Sequence, residues 1–87
     1  MTYQVELAPA AVRQIKKLPR DVQQLVVQQL EELALNPRPN GVVKLEGAES
    51  LYRVRLGDYR IVYQIQDEVL LVTVVKVAHR REVYRKG

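Results

Sequence analysis

The 87-residue chain has no cysteine, no tryptophan and no phenylalanine, and it carries one histidine. Without cysteine there is no disulfide framework, no thiolate zinc site and no cysteine nucleophile, a pattern that fits a reducing cytoplasm. A single histidine cannot build a metal cluster, so neither a metal nor another cofactor is expected. Long apolar runs are missing too: the longest is Val69–Val72, against the roughly 20 residues of a membrane helix. The N-terminal MTYQVELAP shows no basic-then-apolar signal pattern. The expectation is a cytoplasmic protein with no membrane partner, its residues 1–87 forming a single domain, because a chain this short supports one core.

What is present is positive charge, unevenly placed. Fourteen Lys and Arg against ten Asp and Glu leave a net charge of +4. Residues 1–50 hold six basic and six acidic side chains and are neutral. Residues 51–87 hold Arg53, Arg55, Arg60, Lys76, Arg80, Arg81, Arg85 and Lys86 against Asp58, Asp67, Glu68 and Glu82, so the whole excess lies there. A basic half on a small domain points to a polyanionic partner, and arginine suits bidentate contact with phosphate.

The hydrophobic pattern predicts an α+β fold. Residues 3–7 (YQVEL) alternate with period two and read as a strand ending at Ala8-Pro9. Pro9 suits a first helical turn, and Val12, Ile15 and Leu18 recur on one side of a short helix. Pro19 interrupts it, and a second helix follows with the stripe Val22, Leu25, Val26, Leu30, Leu33 before Asn36-Pro37. NPRPNG at 36–41 is a loop, and 42–50 reads as coil or irregular extended chain. Then LYRVRL, YRIVYQIQ and VLLVTVVKV, separated by Gly57-Asp58 and Asp67-Glu68, form a three-stranded antiparallel meander. The expected domain is one sheet of N-terminal strand and meander, with the helix hairpin on one face.

Register makes the meander informative. A two-residue loop at Gly57-Asp58, with glycine first as a type II′ turn prefers, sets Leu56 opposite Tyr59, Arg55 opposite Arg60 and Arg53 opposite Val62. Alternation then puts Tyr52, Val54, Leu56, Tyr59, Ile61 and Tyr63 on a core face. Arg53, Arg55, Arg60, Gln64 and Gln66 fall on an open face, continued by Leu71, Thr73 and Val75. Like charges facing each other destabilise a sheet by up to roughly 1 kcal/mol. Such arginines either splay apart in water as a plain solvated face or focus positive potential on a phosphodiester.

These strings resemble a known family. LYRVRLGDYRIVYQI (51–65) and VVKVAHRREVYR (74–85), behind a strand and helix hairpin of matching length, look like the RelE/ParE toxin superfamily, in particular the RelE-type mRNA interferases of type II toxin–antitoxin systems. The most specific parts are Tyr59 to Tyr63, the Lys44-Leu45-x-Gly47 lead-in and the tail from His79 to Tyr84. The resemblance implies a RelE-like fold and an endoribonuclease that cuts mRNA in the ribosomal A site without a metal. It also implies a cognate RelB-like antitoxin in a hetero-oligomeric toxin–antitoxin complex, with mRNA and the ribosome as further partners.

Carried over by position, the resemblance makes Arg60 the phosphate-stabilising arginine, with Arg55, Arg80 and Tyr84 as its catalytic companions. Arg53, Arg81 and Arg85 are the expected RNA-binding residues, and Lys44 is either a fourth or a plain loop lysine. Lysines can occupy the family's strand positions where Arg53 and Arg55 stand, and a guanidinium stays protonated, so neither arginine serves as general base. In-line attack by a ribose 2′-OH requires loss of its proton, neutralisation of the pentacoordinate phosphorane and stabilisation of the leaving 5′-oxygen. Arg60 and Arg55 fit the second need and Arg80 the third. Tyr84 is either the base, its ordinary pKa of about 10 lowered by surrounding arginines, or a platform that stacks on or orients a nucleobase. His79, the only histidine and next to a proposed active arginine, is a further candidate, against a plain role at the end of the last strand. Glu82, between basic neighbours, reads as a salt-bridged surface residue.

Two other readings stay open. A ParE-like toxin shares the fold but binds DNA gyrase with no nuclease chemistry, and such relatives generally lack the arginine-plus-tyrosine tail seen in HRREVYR. A basic binding module without catalysis is the other. Val27 and Leu35, apolar positions off the main stripe of the second helix, offer an acceptor for an antitoxin segment.

Overall fold

The computed structural model describes residues 2–47 and 50–79. Arg80, Arg81, Glu82, Tyr84 and Arg85, all singled out from the sequence, lie outside the described residues.

Strand β1 (Gln4–Leu7) leads into helix α1 (Pro9–Lys16), with proline in the first helical turn where its missing N–H costs nothing. Pro19 precedes α2 (Arg20–Leu35), whose first turn carries Asp21 near the positive end of the helix dipole. Then come β2 (Val43–Lys44), β3 (Leu51–Leu56), β4 (Tyr59–Gln66), a 3₁₀ turn (Asp67–Val69) and β5 (Leu71–His79). The strands form one sheet in the order β1-β5-β4-β3-β2, in which β1 runs parallel to β5 and the other neighbours are antiparallel. The expected α+β arrangement holds, with two amendments. The segment 42–50, read as coil or irregular extended chain, contributes the short fifth strand β2 against β3. The second meander connection is longer than Asp67-Glu68: the 3₁₀ turn ends on Leu70 in the left-handed region, φ 52°.

The core lies between the helices and one sheet face. Ala11, Val26 and Leu33 meet Val54, Ile61, Tyr63, Ile65, Val72, Val74 and Val77. Val22, Leu30, Ile15 and Leu18 pack around them, but Leu25 is 47% exposed and leaves the expected stripe. At 100° per residue Leu25 sits a full quarter-turn from Val26 and falls on the helix flank. Gln23 Nε2 donates to the Ile15 carbonyl at 2.9 Å and ties the two helices together. Val27 and Leu35 are exposed, as expected.

The first hairpin has the anticipated register, with Leu56 opposite Tyr59 and Arg55 opposite Arg60. Gly57 takes φ 60°, the conformation a II′ turn demands of its first central residue and one that a side chain would strain. The third strand departs from simple alternation. Val62 pairs with Lys76 but Tyr63 pairs with Val74, so Val75 is an extra residue and β5 bulges there. Val72 and Val74 face the core before the bulge, and Val77 and His79 take that side after it. Lys76 and Ala78 are thereby turned to the arginine face.

Candidate functional site

The face turned away from the helices carries two rows of side chains near the Gly57 turn. One row sets Val43, Arg53, Val62 and Lys76 side by side across four strands. The next sets Arg55, Arg60 and Ala78 side by side across three. Alternation on β3 and β4 therefore brings Arg53, Arg55 and Arg60 together as expected, and the bulge adds Lys76, which simple alternation of β5 had missed.

The face is less open at its centre than its polar composition predicts. Arg60 is 7% exposed, the one buried charged residue among those described, and Val62 and Ala78 beside it are buried too. The reason is position: β4 is the central strand, so the stem of Arg60 is flanked by both β3 and β5. Among its contacts, Nη1 donates to the Tyr59 carbonyl at 3.4 Å. Arg55, on β3 and exposed, donates Nε to the Gly57 carbonyl at 3.2 Å. The two guanidinium groups are thus each tied to a different backbone carbonyl near the turn. A guanidinium held in a partly dry setting attracts an anion more strongly than one in bulk water.

Other residues named from the sequence fall elsewhere. Lys44 is in register with Tyr52 and so stands on the helix side of the sheet edge, apart from the arginines. His79 is half-buried, opposite Tyr59, with its ring edge-on to the tyrosine at 5.4 Å and 78°. Both line a cavity of about 390 Å³ with Gln14, Lys17, Leu18, Val77 and Ala78. The bulge puts His79 on the face opposite to Arg60. Within this cavity wall, Gln14 Oε1 accepts from the Val77 N–H at 2.7 Å, capping β5 beyond the end of β1. Among the described residues no group of three or more His, Asp or Glu side chains is placed to hold a metal ion.

At the far end of β4 lies a cluster that sequence reading did not find. Asp67 accepts from Arg38 Nη1 and Nη2 at 3.2 and 2.8 Å and from the Tyr3 hydroxyl at 2.5 Å. The Arg38 and Tyr3 hydrogen bonds hold the Asp67 carboxyl down at about 2. Arg38 also lies 5.2 Å above the Tyr52 ring, which stacks on Tyr63. The Tyr63 hydroxyl donates to the Pro37 carbonyl at 2.7 Å, and burial pushes its pKa up to about 12. Nothing in local periodicity signals this cluster, because Tyr3, Arg38 and Asp67 come from three distant segments.

The chain belongs to the RelE/ParE toxin superfamily. Residues 5–84 match the family model described as ParE toxin of type II toxin–antitoxin system, parDE. The mRNA interferase toxin RelE of Escherichia coli K12 is 33% identical over 91 aligned positions, covering 100% of this chain and 95% of that one. Toxin RelG of Mycobacterium tuberculosis is 31% identical, covering 99% of this chain and 100% of that one. Among solved structures, the RelE–RelB complex of Pyrococcus horikoshii OT3 contains a chain of TM-score 0.82 and 32% identity, with 92% of this chain and 97% of that one covered. Two helices on a five-stranded mixed sheet are the RelE fold, and the protein is a RelE-type toxin of a toxin–antitoxin system.

Proposed function

We propose that this toxin is an endoribonuclease that cleaves mRNA in the ribosomal A site, and that a RelB-like antitoxin holds it inactive. The observation that carries the reading is the buried Arg60 in the middle of a cationic sheet face, in register with Arg55. Support comes from an E. coli relative named an mRNA interferase and from the RelE–RelB complex.

In this reading the scissile phosphate lies over Arg60, with Arg55 swinging from its backbone carbonyl to a non-bridging oxygen. The ribose 2′-OH loses its proton and its oxygen bonds to phosphorus. The bond to the 5′-oxygen breaks, leaving a cyclic phosphate on one fragment and, once that oxygen takes a proton from solvent, a hydroxyl on the other, with no metal required. Arg60 and Arg55 neutralise the charge on the phosphorane, a kind of stabilisation for which one lost donor typically costs on the order of 10²–10³ in rate. Arg80 serves the leaving oxygen and Tyr84 takes the 2′ proton or orients the base beside it. Arg53, Arg81 and Arg85 hold the flanking backbone. Lys44, on the other side of the sheet edge, reaches RNA only if the strand wraps around β2.

Primer extension on a message carried by purified ribosomes tests this. Cuts at the A-site codon with wild type, and none with Arg60→Ala, are the expected result. The family model's ParE description gives the rival its footing. Growth arrest with intact message and inhibited gyrase supercoiling would establish the non-nuclease toxin instead.

A further inference from the structure

We propose that Lys76 is an additional RNA-backbone contact, delivered to the arginine face by the bulge at Val75, and that it binds a phosphate flanking the scissile one. The inference rests on the ribonuclease reading above. The pairing of Val62 with Lys76 and of Tyr63 with Val74 leaves Val75 unmatched. Without that extra residue Lys76 would follow Val72 and Val74, both fully buried, into the core. With it, Lys76 is exposed and shares a row with Arg53, while Val77 takes the core position at 2% exposure.

The placement is suited to one polyanion rather than to scattered solubilising charge. Strands lie about 4.8 Å apart, so Lys76 and Arg53 flank Val62 at about 10 Å from each other. Ala78 is the direct partner of Arg60, which makes Lys76 its diagonal neighbour on that face, about 7–8 Å away. Lys76 is thus within one side-chain length of the proposed scissile position without reaching the reacting atoms. Lysine is disfavoured in strands and a bulge interrupts the ladder. On the opposite flank the same face changes sign: Glu6 of β1, in register with Thr73, accepts from Gln4 Nε2 at 3.1 Å. A phosphate chain crossing the arginines is steered by these charges along β3, β4 and the distal half of β5, past Lys76.

The test measures binding of a short single-stranded RNA with 2′-methoxy groups, which the protein cannot cut, over a range of salt, alongside single-turnover cleavage on programmed ribosomes. Lys76→Gln should weaken binding severalfold at low salt and reduce the slope of log K against log salt by about 0.7, the value of one phosphate contact to a single strand. Lys76→Arg should restore both, the cleavage rate at saturation should stay that of wild type, and the melting temperature should not move. Lys16→Gln, a cation lost from α1, should leave the slope unaltered. An unchanged slope for Lys76→Gln in a protein whose wild type binds and cleaves overturns the proposal alone. So does a loss confined to the saturated rate. Wild-type protein that neither binds the RNA nor cleaves message overturns the ribonuclease reading, and this inference with it.

Discussion

Arg38 and Arg60 sit toward opposite ends of the same sheet and show two uses of one side chain. Arg38 is half-exposed, yet it meets Asp67 through both terminal nitrogens, lies over the Tyr52 ring, and has its pKa raised by these partners. Arg60 is buried, and among its contacts is a hydrogen bond to a backbone carbonyl, as for the neighbouring Arg55. The first arginine has its counter-ion within the chain. The second stands with Arg53, Arg55 and Lys76 on the sheet face turned away from the helices. Exposure alone is therefore a poor guide to how firmly an arginine is held, since the half-exposed Arg38 is fixed by a two-point ion pair.

The sharpest way to break the comparison uses adjacent residues on β4. Ile61→Asp puts a charge without a partner into the core and should abolish cooperative melting, as followed by circular dichroism. A soluble variant with a normal transition would invert the assignment of faces. One position earlier, Arg60→Ala should keep the fold and lose about 10²–10³ in single-turnover cleavage, with cell toxicity falling alongside. Arg38→Ala is its mirror image: lower melting temperature with unaltered cleavage. If Arg38→Ala were the variant that lost activity, the division between the two ends would be wrong.

Smaller effects sharpen the picture. Arg80→Lys keeps charge but loses the planar fork and should slow cleavage more than tenfold, whereas Arg85→Ala should only weaken binding, more so at low salt. Tyr84→Phe in the same assay separates its roles, since a large rate loss requires the hydroxyl and near-normal activity leaves stacking. Tyr63→Phe leaves the Pro37 carbonyl without its donor and should cost about 1–3 kcal/mol in denaturant melts.

The gentlest test is pH. Because folding lowers the Asp67 pKa to about 2, its contribution is complete above the ordinary carboxylate range near about 4 and fades as pH falls toward 2. Asp67→Asn should therefore melt slightly below wild type at pH 7, with the difference closing by about pH 2. A constant difference across that range would show that the Arg38 and Tyr3 contacts add no stability.

Much of the fold was legible because the signals were local. Pro9, Pro19 and Asn36-Pro37 bracket the helices, and Gly57-Asp58 sets a register that carries Arg53, Arg55 and Arg60 to one face. The β5 misreading was also traceable: strict alternation from Leu71 sends Lys76 into the core, a conflict that signals a bulge. By contrast, β2 has two residues and no internal period to recognise. The burial of Arg60 depends on β4 being the central strand, and strand order is a property of the whole sheet.

By itself the sequence determined which residues alternate, where the chain turns, and that three arginines share a face, since these follow from backbone geometry over a few neighbouring positions. Only the tertiary structure decided that β1 lies parallel to β5, that Lys76 joins the arginines while His79 turns to Tyr59, and that Tyr3, Arg38 and Asp67 meet. Those outcomes depend on contacts between segments far apart in the chain. Their energies are set by packing and burial, which no local pattern encodes.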